Sequence, residues 1–203
     1  MKESKDTLNY ITFESQGNLK GIENLRSLLF AIKKHRNIYF THENFETGKK
    51  KKYSISPYLL KEYQNRWYII GKTEGIKEFR TFGIDRIEDI EIKADTFKPD
   101  NKTDPVELFD NIVGLTYSLN ELEEVVLSFT SLQGKYVKAL PLHKSQDIIS
   151  ENEKELIVKL TIIPNYEFKQ KILMLGDTVK IIKPKWIVDE IKETLKKTIE
   201  KYK

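Results

Sequence analysis

Arg66-Trp67-Tyr68-Ile69-Ile70-Gly71, followed across Thr73-Glu74-Gly75 by Phe79-Arg80-Thr81-Phe82-Gly83-Ile84-Asp85-Arg86-Ile87, has the composition of a β-hairpin. Aromatic and β-branched residues favour strands, and Gly75 supplies the left-handed residue that a three-residue hairpin loop requires. Such a loop sets Lys72 opposite Ile76, so Tyr68 faces Arg80 and Arg66 faces Phe82. Side chains alternate along a strand. One face then carries Arg66, Tyr68, Arg80 and Phe82, and the other carries Trp67, Ile69, Phe79 and Thr81 as core.

Outward from this hairpin, Ile38 to Thr41, Tyr53 to Ile55 and Asp89 to Lys93 are further strand-like runs. The first two are joined across Thr47-Gly48 and the Lys49–Lys52 run, which reads as a solvated loop tip. Ile22, Leu25, Leu28, Leu29 and Ile32 recur at helical spacing, which predicts a helix over 21–35 ending in Lys33, Lys34 and His35, where the helix dipole favours cations. Short strands closely spaced by turns imply a small, strongly bent sheet or barrel.

A second unit follows a stretch containing Pro99, Asp104 and Pro105 and one apolar patch, Phe109 to Leu115. Strands are expected at Val125 to Phe129, Asp147 to Ile149, Leu156 to Ile163 and Val179 to Ile182, and helices at Gly134 to Leu140 and Tyr166 to Leu175. Pro184 starts a final helix with Ile187, Ile191, Leu195 and Ile199 on one stripe, either core or dimer seam. The order βαββαβ plus a terminal helix is that of a ferredoxin-like layout. The fold class expected is α+β: 1–20 tail or linker, 21–98 first domain, 99–121 linker, 122–203 second domain.

The chain has 203 residues, no cysteine and a formal net charge of +4. Disulfides, thiolate nucleophiles and zinc fingers are therefore excluded. The basic excess lies in residues 1–93, where an anionic partner would dock. With no membrane-length apolar run and no signal-peptide core, a cytoplasmic location is expected. His35, His42 and His143 lack metal-ligand spacing, and no phosphate-binding glycine loop or nucleophile elbow is present. No catalytic residue, metal or cofactor is assigned, and His143 reads as a structural or interface residue. Binding is expected rather than catalysis, with a nucleotide hydrolase as a remoter class.

Pro57-Tyr58-Leu59-Leu60 together with the hairpin segments resembles the WYL domain, named for a Trp-Tyr-Leu triplet in which this chain has Ile69 in third place. Pro141-Leu142-His143-Lys144-Ser145-Gln146 and Lys183-Pro184-Lys185-Trp186 resemble its C-terminal extension, WCX. The resemblance implies an Sm-like, SH3-type barrel in a bacterial transcriptional regulator that dimerises through the extension. It also implies an upstream winged helix-turn-helix DNA reader; residues 1–20 are too short for one, so DNA contact is expected through a domain absent from this chain. By the same resemblance, Tyr68, Arg80 and Arg86, with Arg66 and Phe82 beside them, bind a nucleotide or single-stranded nucleic-acid effector. Guanidinium groups pair with phosphate and rings stack on bases. An arginine opposite an aromatic is also the ordinary make-up of a solvated cross-strand pair, and composition alone leaves both readings open. The alternative function is a ligand-free dimerisation or protein-interaction scaffold.

Overall fold

The computed structural model describes residues 20–76, 78–100, 104–117 and 121–203. The expected tail over residues 1–20 lies outside them except for Lys20. The chain divides into two compact units, Met1–Asp100 and Asn101–Lys203.

In the first unit a 3₁₀ turn, Ile22–Asn24, leads into helix α1, Leu25–Lys33. Strands β1 (Arg36–Glu43), β2 (Lys50–Tyr63), β3 (Arg66–Thr73), β4 (Phe79–Gly83) and β5 (Ile87–Thr96) follow, with a second 3₁₀ turn, Ile84–Arg86, between β4 and β5. All pair antiparallel in the order β4-β3-β2-β1-β5. Leu28 and Ala31 of α1 are buried with Ile38, Ile55, Ile69, Phe82 and Ile84, whereas Ile22 and Leu29 of the expected apolar face are exposed.

The expected barrel is not closed. Among the described residues the outer strands β4 and β5 do not pair with each other, and the sheet stays open. Yet β4 and β5 lie at opposite edges and are joined by only Ile84–Arg86. The four peptide steps from Gly83 to Ile87 span at most about 14 Å. The two edges therefore approach at that end, and the sheet must curl strongly.

Two features permit the curl. β2 runs 14 residues where a strand was expected only at Tyr53 to Ile55, and its register slips between Pro57 and Leu59. Proline donates no hydrogen bond, and such bulges bend a strand. Its first half pairs with β1 and its second with β3. Opposite Pro57 is Gly71, where a Cβ would lie 2.5 Å from the Ser56 carbonyl oxygen, so only glycine fits.

The hairpin register differs from that expected. Tyr68 faces Gly83, not Arg80, and Ile69 faces Phe82, a slip of three residues. An odd slip exchanges the faces of one strand relative to the other. The slip seats Phe82 beside Ile69 in the core, where burying each such side chain contributes roughly 1.5–3 kcal/mol. The connection is correspondingly longer, although Ile76 N–H still donates to the Thr73 carbonyl at 3.1 Å.

The second unit comprises α2 (Pro105–Asp110), β6 (Glu123–Thr130), α3 (Ser131–Ala139), β7 (Asp147–Glu151), β8 (Glu155–Ile162), α4 (Tyr166–Leu175), β9 (Val179–Lys183) and α5 (Lys185–Glu200). The antiparallel sheet order is β7-β8-β6-β9. Leu156, Val158, Leu160 and Ile162 alternate inward on β8 and meet Leu127, Phe129, Phe168 and Ile187. Side-chain caps start three helices: Asp104 accepts from Val106 N–H, Thr130 from Gln133 N–H and Asn165 from Phe168 N–H. Residues 104–117, within the stretch expected as linker, hold α2, and Val113 joins this core. On α5 only Ile187 is buried, Ile191 packs partly, and Leu195 and Ile199 are exposed.

Candidate functional site

β1 places Ile38, Phe40 and His42 on one face by strict alternation, and the first two are core. Phe40 lies opposite Tyr53 of β2. The Phe82 ring, brought in by β4, lies 4.9 Å from Tyr53, 5.1 Å from Phe40 and 5.3 Å from His42 between centroids. These rings form an aromatic floor at the margin of the first core.

Cations border the floor. The Arg80 guanidinium carbon lies 5.5 Å from the Tyr53 ring centre and 5.9 Å from that of Phe82. Among the described residues Arg80 makes these ring contacts and no ion pair. Lys51 Nζ is also 5.5 Å from Tyr53. Lys50 to Lys52 thus belong to β2, not to the expected loop tip. Arg86, on the 3₁₀ turn, sets its guanidinium 4.7 Å from the Phe45 ring centre. Each cation–ring contact contributes about 0.5–1 kcal/mol where exposed.

Asp85 lies between two arginines, 3.6 Å from Arg66 Nη1 and 3.8 Å from Arg86 Nε. Pairs of such length near the surface contribute at most about 1 kcal/mol. Gly83 makes room for the cluster: a Cβ there would stand 2.6 Å from Asp85 Oδ1 and 3.0 Å from Arg86 Nη2.

His42 Nε2 is buried and has no hydrogen-bond partner. Burial, more than anything else, lowers the imidazole pKa below its ordinary value. Arg86 and then Arg80 add to the depression, which Asp85 and Glu43 oppose. The ring is therefore held neutral beside two permanent cations.

The sequence-predicted residues separate. Arg80, Arg86 and Phe82 gather around His42. Phe82 is only 3% exposed and forms part of the floor with no open face. Arg66 reaches the cluster through Asp85. Tyr68 is half-buried opposite Gly83 and Lys61, on the other face of the hairpin from Phe82. His42, Tyr53 and Phe45 were not anticipated. For His42 the signal was legible, since a histidine that continues an Ile38, Phe40 alternation points inward.

In the second unit, His143 makes a local network. Ser145 N–H donates to its Nδ1 at 3.1 Å, so the other nitrogen, Nε2, carries the proton and donates to the Asp110 carbonyl at 2.8 Å. Both ring nitrogens are engaged with the segments around Asp110 and Ser145. Among the described residues no group of three or more His, Cys, Asp or Glu can hold a metal, and no helix is long and apolar enough to cross a membrane.

With this geometry in place, two family models match the sequence: WYL domain over residues 23–92 and WCX domain over residues 121–199. The sequence thus matches a WYL domain model and then a WCX domain model in chain order. The WYL match runs from α1 into β5 and contains the whole aromatic floor; the WCX match runs from the approach to β6 into α5. No curated protein matches the chain. Similar solved structures include a CRISPR Cas-related protein, 15% identical with a TM-score of 0.56 over 89% of this chain and 52% of that one. They also include proteasome accessory factor B/C of Arthrobacter aurescens, 13% identical with a TM-score of 0.41, covering 89% of this chain and 28% of that one. The former is a likeness of fold. The chain spans about half the length of one of these proteins and less than a third of the other.

Proposed function

We propose that this WYL–WCX chain is the effector-sensing and dimerising region of a transcriptional regulator, and that its WYL unit binds a nucleotide or nucleic-acid-like anion. The observation that carries the reading is Arg80 held over the Tyr53 and Phe82 rings and unpaired to any carboxylate among the described residues; Arg86, over the Phe45 ring, acts on His42 of the same floor. Cations held over rings suit a ligand that is both anionic and planar. DNA would be contacted through a reader domain outside this chain. We read the curled first sheet as Sm-like and the second unit, from its βαββαβ order, as ferredoxin-like. Exposed Leu195 and Ile199 on α5 support self-association through the WCX unit.

Binding of short labelled single-stranded DNA and RNA, followed by fluorescence anisotropy at two salt concentrations, tests the reading. Saturable binding that weakens with salt and is lost in Arg80→Ala and Arg86→Ala, with both variants folded, is expected. Unchanged affinity in both variants would remove these arginines from the site. An absence of binding would favour the scaffold alternative.

A further inference from the structure

The proposed anion site leaves His42 unexplained. A buried polar atom without a partner is uncommon in a folded protein, and here it is a ring nitrogen beside the floor that Arg80 and Arg86 border. The groups around it are known from each neighbouring element. Glu43 follows it on β1, Lys51 is its cross-strand neighbour on β2, and the Tyr53 ring is 6.1 Å away. Arg80 approaches from β4, and Asp85 and Arg86 from the 3₁₀ turn. Positive charge exceeds negative in this set, and the cations nearest the rings belong to long, flexible side chains.

A phosphodiester within a strand offers two free oxygens, whereas a terminal phosphate offers three. A terminal phosphate also carries up to about two negative charges near neutral pH, against one for a phosphodiester, and two guanidinium groups with one protonatable imidazole match the larger charge. We infer that the site takes a nucleotide through a terminal phosphate, held by Arg80 and Arg86 with His42 as third donor, and that binding draws a proton from solvent onto His42. This rests on the proposed reading of the Arg80–Arg86 face and deepens it. Nε2 is closed to solvent, so its contact with a phosphate oxygen requires the side chains around it to shift on binding. Two negative charges beside the ring oppose the burial and the arginine charges that keep it neutral.

The test compares a thymidine trinucleotide carrying a 5′-phosphate, the same trinucleotide with a 5′-hydroxyl, and thymidine 5′-monophosphate, each from pH 8 to pH 6. The phosphorylated trinucleotide is expected to bind about tenfold or more tighter than its hydroxyl counterpart, as charge-assisted hydrogen bonds require. Proton uptake adds up to about tenfold in affinity per unit fall in pH. His42→Gln should abolish this added pH dependence. The variant experiences the same titration of the phosphate itself, so the difference between the two proteins isolates the histidine. In NMR, the His42 ring should titrate at higher pH when saturated with phosphorylated probe. Monophosphate binding as tight as the trinucleotide's would assign the site to free nucleotides; much weaker binding would assign it to strand ends.

Equal affinity for the two trinucleotides, or an unmoved His42 titration, overturns the inference while leaving the anion site intact. Failure of every probe to bind overturns both.

Discussion

The Arg80 guanidinium carbon stands 5.5 Å from the centre of the Tyr53 ring, on a strand that does not neighbour β2 in the sheet. β3 separates them in the pairing order, and the curl of the sheet brings them together. Tyr53 should therefore act with Arg80 in ligand binding. Tyr53→Leu is expected to lose about 1–3 kcal/mol of affinity for a single-stranded probe, the usual contribution of a stacked ring. Tyr53→Phe should retain most of it. Anisotropy titrations of both variants, with circular dichroism as a folding control, decide the matter; equal affinity for Leu and Phe at this position would exclude stacking.

Phe82 should matter to stability. It is buried against Ile69, Phe40 and Tyr53, so Phe82→Ala should cost about 3–5 kcal/mol in urea denaturation. Phe82→Leu better preserves the volume and should cost less than the alanine variant. A loss below about 1 kcal/mol for the alanine variant would place the ring outside the core.

Asn165 is the polar keystone of the second unit. It is 3% exposed; its Nδ2 donates to the Val113 and Thr116 carbonyls, and its Oδ1 accepts from Phe168 N–H. Glu167 nearby accepts from Thr116 N–H and Oγ1. Asn165→Ala removes a helix cap and strands two carbonyls, for an expected loss above about 2 kcal/mol. Asn165→Asp keeps the capping oxygen but turns a carboxylate toward carbonyls, and should also destabilise. Hydrogen exchange across residues 111–117 should accelerate in both variants; unaltered exchange there would mean the clamp is not what holds the segment.

Stability should decline in mild acid. Burial lowers the pKa of His42 and of His143; Arg86 adds to the depression at the first, and at the second Lys144 adds to it while the hydrogen bond to the Asp110 carbonyl opposes it. A histidine with a folded pKa below its unfolded value contributes stability that is present above about pH 6.5. As pH falls below that value the unfolded chain takes up protons first, and the contribution is lost until the folded pKa is reached. At His143 the physical event is protonation of Nδ1, which can then no longer accept Ser145 N–H. Thermal melts between pH 7.5 and 5.5 should show a falling midpoint, flattened in His143→Gln. An identical slope in that variant would assign the decline elsewhere.

In the hairpin, part of the structure is legible in the linear sequence and part is not. Strand identity was legible at Arg66–Gly71 and Phe79–Phe82 because aromatic and β-branched residues crowd both runs. Register was not. The Thr73-Glu74-Gly75 loop offers a compact turn, but turn preference is small beside the gain from seating Phe82 in the core. Arg80 and Arg86 were identified as cations near rings, yet the rings expected to receive Arg80 were wrong in part: Tyr68 lies opposite Gly83, while Tyr53 and Phe82 lie under the guanidinium. The Lys49–Lys52 run has the composition of a loop tip, yet most of it extends β2 and sets Lys51 beside the same ring.

Composition and alternation, both local properties, were sufficient for most of the α and β elements and their order, but not for α2 or the length of β2. Pro184, immediately before α5, marks a helix start through chemistry confined to its own neighbourhood. Tertiary structure alone decided which side chains share a site. His42, Tyr53, Arg80 and Arg86 lie on separate segments of the sequence and converge because the sheet curls and one large ring must be buried. That burial is a global balance of apolar surface against strand pairing, and no short stretch of sequence contains it.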